Sequence, residues 1–274
     1  MVLRSLWIAP LGSVVTAAIA IFSGYIIGVI KEHFPAILPY ISDGGRLPPE
    51  SCVFTQFLNV SAFLFALSCY MRHRMIVEYY AHRLNWSSKG NWRTVSQILL
   101  GISYTSAVAV TILANFSVKE QPTIHEFAAS FAFWSSLIYA WGQVLVGYLL
   151  KPHLCPMKVQ HCRTTIIILA TIAMILHLLA EKFHILNQNS PALDHENLYP
   201  MKFYDQNWPE LIEDKSSSQL NHLVSSISEW IMVLLFEVFV LSFTYEFRFA
   251  YMHAPRVIYH TRIDDRQITV IPDD

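Results

Sequence analysis

The distribution of charged residues is the feature that most constrains how this chain can fold. Five long stretches contain no Asp, Glu, Lys or Arg, and they separate Arg4 from Lys31, Glu50 from Arg72, Arg93 from Lys119, Glu126 from Lys151 and Arg163 from Glu181. A helix needs about 20 apolar residues to cross the hydrocarbon core of a bilayer. Four of the stretches reach or exceed that length, and the fifth is slightly shorter. A sixth apolar segment, 225–245, is interrupted by Glu229 and Glu237.

The composition excludes several other classes of protein. Only 14% of the 274 residues are charged, against about 25% in an average soluble domain. Such a chain has too few charges to cover a water-facing surface. The 19 Lys and Arg residues are balanced by 20 Asp and Glu residues, so no basic field is available for nucleic acid. Four cysteines in a chain of this length do not form a disulfide framework.

We therefore predict an all-α, polytopic membrane protein: a single domain built as a bundle of six transmembrane helices. The predicted spans are 6–30, 51–71, 95–117, 127–150, 164–180 and 225–245, followed by a tail over 246–274. Thirteen of the Lys and Arg residues fall on the side of the two termini and six on the other side. Because cytoplasmic loops carry the excess of positive charge, we expect both termini and the tail to be cytoplasmic.

Glu229 and Glu237 are the sharpest chemical signal, because an acid at membrane depth costs roughly 2.5–3.5 kcal/mol and faces a bundle interior or water. Their spacing of eight residues places them on broadly the same face of a helix. Such a pair fits a proton-responsive site, an ion pathway or a contact with a lipid headgroup. The alternative is a structural role, in which Glu229 bonds to neighbouring helices and Glu237 is satisfied by a polar partner.

His177 is the other titratable residue deep in a predicted span. A neutral histidine at this depth has the chemistry to pair with Glu229 or Glu237 and so to form a pH-sensitive couple. The alternative is an ordinary hydrogen bond between helices.

The remaining reactive side chains form no recognisable motif. The sequence has no HExxH, no paired CxxC and no GxSxG, so we predict no metal, no cofactor and no catalytic residue. Cys155 and Cys162 lie beside the predicted fifth span, where cysteines are open to palmitoylation or remain free thiols. The basic 72–93 loop, with its Tyr and Trp residues, suits contact with anionic lipids or is simply an inside-positive loop. Membrane lipids are the predicted partners, beside protein partners that the sequence does not specify.

A Pro- and Gly-rich segment on the outer side has a different character. Residues 39–45 read PYISDGG, and residues 48–54 read PPESCVF. Proline suits the first turn of a helix, and Glu50 complements the positive end of the helix dipole. The segment therefore predicts a structured turn that leads into the second span.

The same segment closely resembles the hallmark of the damage-regulated autophagy modulator (DRAM) family, within the Frag/DRAM/Sfk superfamily of six-span proteins. The resemblance continues through Leu58-Asn59, Tyr70-Met71-Arg72, Ala114-Asn115-Phe116, His125 and Glu229-Trp230. It departs from the family at Gly44, where relatives usually have Thr, and in a more polar 181–219 loop.

The resemblance implies a non-enzymatic regulator of autophagy and cell survival or death in a lysosomal or endosomal membrane. Matching residues at the outer half of the membrane predict one polar cluster, structural or ligand-binding, formed by Asp43, Asn59, Asn115, His125 and Glu229.

Other branches of the superfamily suggest alternatives. These are a remodelling factor for lipids or glycolipid anchors, and a scaffold for phosphoinositide kinases with residence in the plasma membrane or Golgi. A conduit for ions or amino acids is a further alternative, which the lack of Gly- or Pro-broken helix pairs disfavours.

Overall fold

The structure, a computed structural model, describes residues 2–3, 5–36, 39–79, 91–151, 153–183 and 216–253. Six helices in these ranges are long and apolar enough to cross a membrane, as predicted. They are α1 (Ile8–Ile30), α2 (Glu50–Ile76), α3 (Trp92–Asn115), α4 (Pro122–Leu149), α5 (Met157–Glu181) and α6 (Ser216–Leu241). A short helix α7 (Thr244–Phe247) follows α6. The predicted all-α bundle with six candidate membrane spans is confirmed.

The local sequence accounts for several helix ends. Helix α4 begins with Pro122 in its first turn, where the missing backbone N–H of proline removes no helical hydrogen bond. Helix α2 begins directly after Pro48-Pro49 and has Glu50 in its first turn. Helix α5 begins at Met157, well before the predicted start at 164. Arg163, which precedes the predicted span, lies within this helix and is buried.

The helices pack mainly as neighbours along the chain, in the pairs α1 with α2, α3 with α4, and α5 with α6. Several small residues of these helices are almost completely buried, among them Ala17, Ala20, Ala140 and Ala170. Small side chains let membrane helices approach closely, and their dispersion contacts replace the hydrophobic drive available in water. Large apolar side chains such as Phe63, Phe127 and Ile98 point outward, as a surface facing lipid requires.

A two-residue antiparallel ladder joins the two ends of the described chain. Strand β1 (Val2–Leu3) pairs with β2 (Met252–His253). The segment before α1 and the segment after α7 therefore lie at the same end of the bundle. This end is called the inner end here, in keeping with the prediction from loop charge that it faces the cytoplasm, and the opposite end is called the outer end.

At the outer end, the connection between α1 and α2 contains a 3-10 helix, Ile41–Gly45. This 3-10 helix packs against α1 through two glycines. A Cβ atom on Gly24 would lie 3.1 Å from the Cα atom of Gly44, so the two backbones are almost in contact. The close approach places the 3-10 helix over the bundle, where it contacts α6 as well as α1 and α2.

Candidate functional site

The outer connection is held to α6 by a set of side-chain hydrogen bonds. Glu229 Oε2 accepts a hydrogen bond from the backbone N–H of Ile41 at 3.1 Å. The carbonyl of Pro39 accepts two more, from Ser226 Oγ and from Trp230 Nε1, each at 2.9 Å. Side chains of α6, Glu229 among them, therefore bind the backbone of the segment 39–54, which is called the outer motif below.

Asp43 organises the same segment from within. Its Oδ2 accepts a hydrogen bond from the backbone N–H of Tyr40 at 2.9 Å, which caps the start of the 3-10 helix. Asp43 is almost completely buried. Burial also raises the pKa of Tyr40 well above its usual range, and the Tyr40 ring packs edge-on against His222 of α6. Asp43 is thus a structural element of the motif.

The entry to α2 has a polar contact of its own. The Nδ1 atom of His33 makes a short contact with Glu50 Oε1, and Glu50 is fully buried. The sequence suggested only a helix-dipole role for Glu50. The structure adds that Glu50 ties the end of α1 to the start of α2.

The five residues predicted to form one outer cluster are divided by the structure into three sets. Asp43 and Glu229 both act on the 3-10 helix. Asn59 and Asn115 pair with each other between α2 and α3, through bonds of 3.1 and 3.4 Å between their side-chain amides. His125 Nδ1 lies 2.8 Å from the carbonyl oxygen of Phe116, so it ties the start of α4 to the end of α3.

His177 is also bound differently from the sequence hypothesis. Its direct ionisable partner is Glu181 on the next turn of α5, with Nε2 and Oε2 separated by 2.8 Å. Its Nδ1 lies 3.0 Å from the hydroxyl of Ser225 on α6. The predicted direct pairing with Glu229 or Glu237 is therefore replaced by a pairing with Glu181. This partner was missed because a charge at the end of a span reads as a membrane boundary.

A cavity of about 140 Å³ lies in the centre of the bundle between α1, α2, α3, α4 and α6. Its walls are mostly apolar. Ser13 and Ser61 bond to each other across the α1–α2 contact, and Ser106 and Ser136 do so across the α3–α4 contact. These serines line the cavity, but their hydrogen bonds join neighbouring helices. The cavity also contains the more reactive side chains of His125, Glu229 and Glu237.

Glu237 lines the central cavity two turns further along α6 than Glu229. Its Oε2 atom is buried and has no hydrogen-bond partner in the part of the chain that the structure describes. Buried polar atoms in native proteins are almost always paired, and an acid within a membrane span is costly. Glu237 therefore offers this cavity a carboxyl oxygen that has no hydrogen-bond donor among the described residues.

A second, smaller cavity of about 70 Å³ lies at the outer end. It shares Ser42, His125, Ala129, Phe133 and Glu229 with the central cavity, so the two adjoin. Its other polar walls are formed by the side chains of Tyr40, Glu126, His177, Glu181 and Lys182.

Lys182 is the cation of this outer cavity. It lies 3.3 Å from both Glu126 and Glu181. Although partial burial opposes its charged form, these two carboxylates raise the pKa of Lys182.

At the inner end, the structure contains an ionic cluster that the sequence analysis did not predict. Glu246 of α7 binds Arg163 through two hydrogen bonds of 2.6 and 2.8 Å, and Arg72 Nη1 at 3.0 Å. All three side chains are about 2% exposed. Gln143 accepts a further bond from Arg72 Nε at 3.3 Å, and the ring of Phe243 lies beneath both guanidinium groups.

The ionic cluster joins α2, α4, α5 and α7 at one point. It was missed because Arg72 and Arg163 end charge-free stretches and therefore read as solvated loop cations. The Tyr-x-Arg likeness at Tyr70-Met71-Arg72 was the one signal that pointed to Arg72. Nothing in the sequence linked either arginine to Glu246, since the pairs are 174 and 83 positions apart.

The two cysteines predicted to be open to palmitoylation have different environments. Cys155 is buried, with Sγ 3.6 Å from Nη1 of Arg163, and burial raises the pKa of its thiol. Cys162 is exposed on α5. Acylation of Cys155 would require the inner end to open, whereas Cys162 is accessible.

Within the described ranges, no group of three or more His, Cys, Asp or Glu side chains is placed to hold a metal ion. The fold and site therefore define a class: a six-helix membrane protein whose outer motif is clamped onto its last span, above an interior cavity.

Comparison with known proteins assigns the chain to a family of this class. The profile of the Frag1/DRAM/Sfk1/Cwh43P N-terminal domain matches residues 5–249, and the chain belongs to this family. It is 31% identical to DNA damage-regulated autophagy modulator protein 1 of Xenopus laevis over 224 residues, which are 82% of this chain and 83% of the relative.

Further relatives lie in the same group. The chain is 25% identical to the mouse protein of the same name over 246 residues, 90% of this chain and 92% of the relative. It is 31% identical to the bovine modulator of macroautophagy TMEM150B over 146 residues, 51% of this chain and 57% of the relative. No solved structure matches this chain significantly.

Proposed function

We propose that this protein is a non-enzymatic regulator of autophagy that resides in a lysosomal or endosomal membrane and influences cell survival. The observation that carries the proposal is the family match over residues 5–249, together with relatives of nearly full length that are named autophagy modulators.

The way in which the polar groups are used supports a regulatory role. Glu229 and Asp43 hold the backbone of the outer motif, and His125 holds the end of α3. General acid and base catalysis requires such groups to converge on one reacting atom. Here these groups bond to backbone atoms at two separate places. This use suits a protein that presents a folded outer surface to a partner.

The test is to localise the tagged full-length protein and to measure autophagic flux when it is overexpressed and depleted. We expect the protein in lysosomes or endosomes, and we expect flux to change in opposite directions in the two conditions. Glu229→Gln replaces a charge-assisted hydrogen bond at Ile41 by a weaker one, so we expect a smaller effect on flux. Glu120→Gln, an exposed change at the outer end, is the matched control.

Residence at the plasma membrane, with flux unchanged in both conditions, would overturn the proposal and favour the scaffold alternative. An unchanged flux together with an altered composition of membrane lipids or glycolipid anchors would favour lipid remodelling. The cavity that contains His125 and Glu229 supports this second candidate function.

A further inference from the structure

The central cavity and the adjoining outer cavity carry an inference that goes beyond a role in autophagy. We propose that they form a binding site for a small lipophilic amine, whose ammonium group is bound by Glu237 and whose apolar body fills the central cavity.

The first step is the unpaired carboxylate. Glu237 lines the central cavity, and its Oε2 is buried with no donor among the described residues. A cation or a hydrogen-bond donor that enters the cavity would offset the cost of burying this acid. Glu237 lies two turns deeper along α6 than Glu229, about 12 Å at the helical rise per residue, so the donor group must travel into the membrane.

The second step is the shape and polarity of the cavity. Phe65, Leu137 and Phe236 are among the apolar side chains that line the central cavity together with Glu237. A cavity of about 150 Å³ lined by such residues in another protein holds benzene, and this cavity has about 140 Å³. An apolar body of about six heavy atoms therefore fits.

The third step is the charge along the route from the outer end. The outer cavity contains three carboxylates, those of Glu126, Glu181 and Glu229, against one lysine and two histidines, Lys182, His125 and His177. Lys182 is already paired with Glu126 and Glu181, and His177 is paired with Glu181. Glu229 accepts its hydrogen bond from a neutral backbone N–H. This arrangement attracts a cation and repels an anionic amphiphile.

The three steps together select the ligand class. The apolar walls exclude a strongly hydrated ion, and the acids disfavour a fatty acid. An alcohol can only form a hydrogen bond with Glu237, whereas an amine can also take up the proton of this acid and form an ion pair with the carboxylate. A primary or secondary amine with a compact apolar body meets all three conditions.

The test compares three ligands that share one apolar chain: hexylamine, hexanol and hexanoate. Their binding to the purified full-length protein in detergent is measured by the shift of the thermal unfolding temperature as a function of ligand concentration. We expect hexylamine to stabilise the protein at concentrations at least about 10-fold lower than hexanol, and hexanoate to have no effect. This comparison needs no variant.

Glu237→Gln keeps the size of the side chain and removes its ability to transfer a proton to an amine, so we expect it to weaken hexylamine binding by about 10-fold or more and to leave hexanol binding nearly unchanged. Glu120→Gln, outside both cavities, should bind all three ligands as the wild type does. The proposal is overturned if hexylamine and hexanol bind the wild type equally, or if Glu237→Gln binds hexylamine with unchanged affinity. Because binding is measured on the purified protein, its outcome is independent of the autophagy assay.

Discussion

Arg163 and Glu246, which are 83 positions apart in the chain, form a two-pronged salt bridge at the inner end of the bundle, with N–O distances of 2.6 and 2.8 Å. Both side chains are about 2% exposed. Since Arg72 shares the same carboxylate, one acid compensates two buried guanidinium groups. The stability of the inner end therefore depends on Glu246 more than on either arginine.

Glu246→Gln is expected to destabilise the protein strongly, because it leaves two buried cations without a compensating charge. Removal of one partner from a buried ion pair costs about 3–5 kcal/mol. The measurement is the thermal unfolding temperature of the purified protein in detergent, with the exposed change Glu120→Gln as the control. Equal unfolding temperatures for the two variants would show that the ionic cluster contributes little.

A double replacement at the same site should behave differently. If Arg163 and Glu246 are both changed to Met, the carboxylate and one guanidinium are lost together, and only Arg72 remains to be compensated. We expect this variant to be more stable than Glu246→Met alone. A double variant at least as unstable as the single one would mean that packing, and not charge, determines stability here.

The contact between Gly24 and Gly44 leads to a prediction about the outer motif. Gly24→Leu should displace the 3-10 helix, because even a Cβ atom at this position would lie 3.1–3.3 Å from Gly44 and Phe54. Overpacking of this kind costs typically 1–3 kcal/mol. Gly101→Leu is the matched control, since no atom lies within 4 Å of a Cβ at Gly101.

Protease sensitivity of the outer connection, together with the unfolding temperature, measures this effect. We expect Gly24→Leu to lower the unfolding temperature and to accelerate cleavage between α1 and α2, and Gly101→Leu to leave both unchanged or slightly improved. Faster cleavage in the Gly101 variant as well would point to a general effect of leucine within a helix.

The two inner cysteines should react with thiol reagents at different rates. Cys162 is exposed, whereas Cys155 is buried and its pKa is raised, so at pH 8 a smaller fraction of Cys155 is the reactive thiolate. We expect a maleimide to label Cys162 in the folded protein and Cys155 only after denaturation. Labelling followed by peptide mass analysis of Cys155→Ser and Cys162→Ser variants makes the measurement. Equal rates in the folded protein would contradict the burial of Cys155.

The asparagine pair between α2 and α3 permits a direct energetic measurement. Asn59 and Asn115 bond to each other through their amides, and hydrogen bonds between membrane helices average about 0.6 kcal/mol. A double-mutant cycle with Asn59→Ala and Asn115→Ala should give a coupling energy of about that size. A coupling energy near zero would mean that the two residues contribute independently.

Much of the fold could be predicted from the chain alone. The need to satisfy every backbone group in a bilayer leaves the helix as the solution for a long apolar stretch, so the charge-free gaps identified the spans. The same reasoning did not place Arg163 inside helix α5, because it took each arginine as the boundary of a span. Arg163 is buried in a helix and neutralised by Glu246, which a linear count of charges does not reveal.

The candidate site was predictable only in part. Glu229 and Glu237 stood out because acids in an apolar span are costly. The sequence could not distinguish the roles of these two acids. Glu229 accepts a hydrogen bond from a backbone N–H of the outer motif, whereas Glu237 lines a cavity. His177 pairs with Glu181, one helical turn away on α5, and not with an acid of α6.

The sequence by itself determined the class of protein, the number of spans and, through the motif at 39–54, the family. These properties depend on local composition and on short patterns, which remain the same however the helices pack. Only the tertiary structure decided which charges meet, since pairing depends on how helices distant in the chain are brought together. It placed Arg72 and Arg163 on Glu246, paired Asn59 with Asn115 and not with Glu229, and put Glu237 at the wall of a cavity, where its Oε2 has no partner among the described residues.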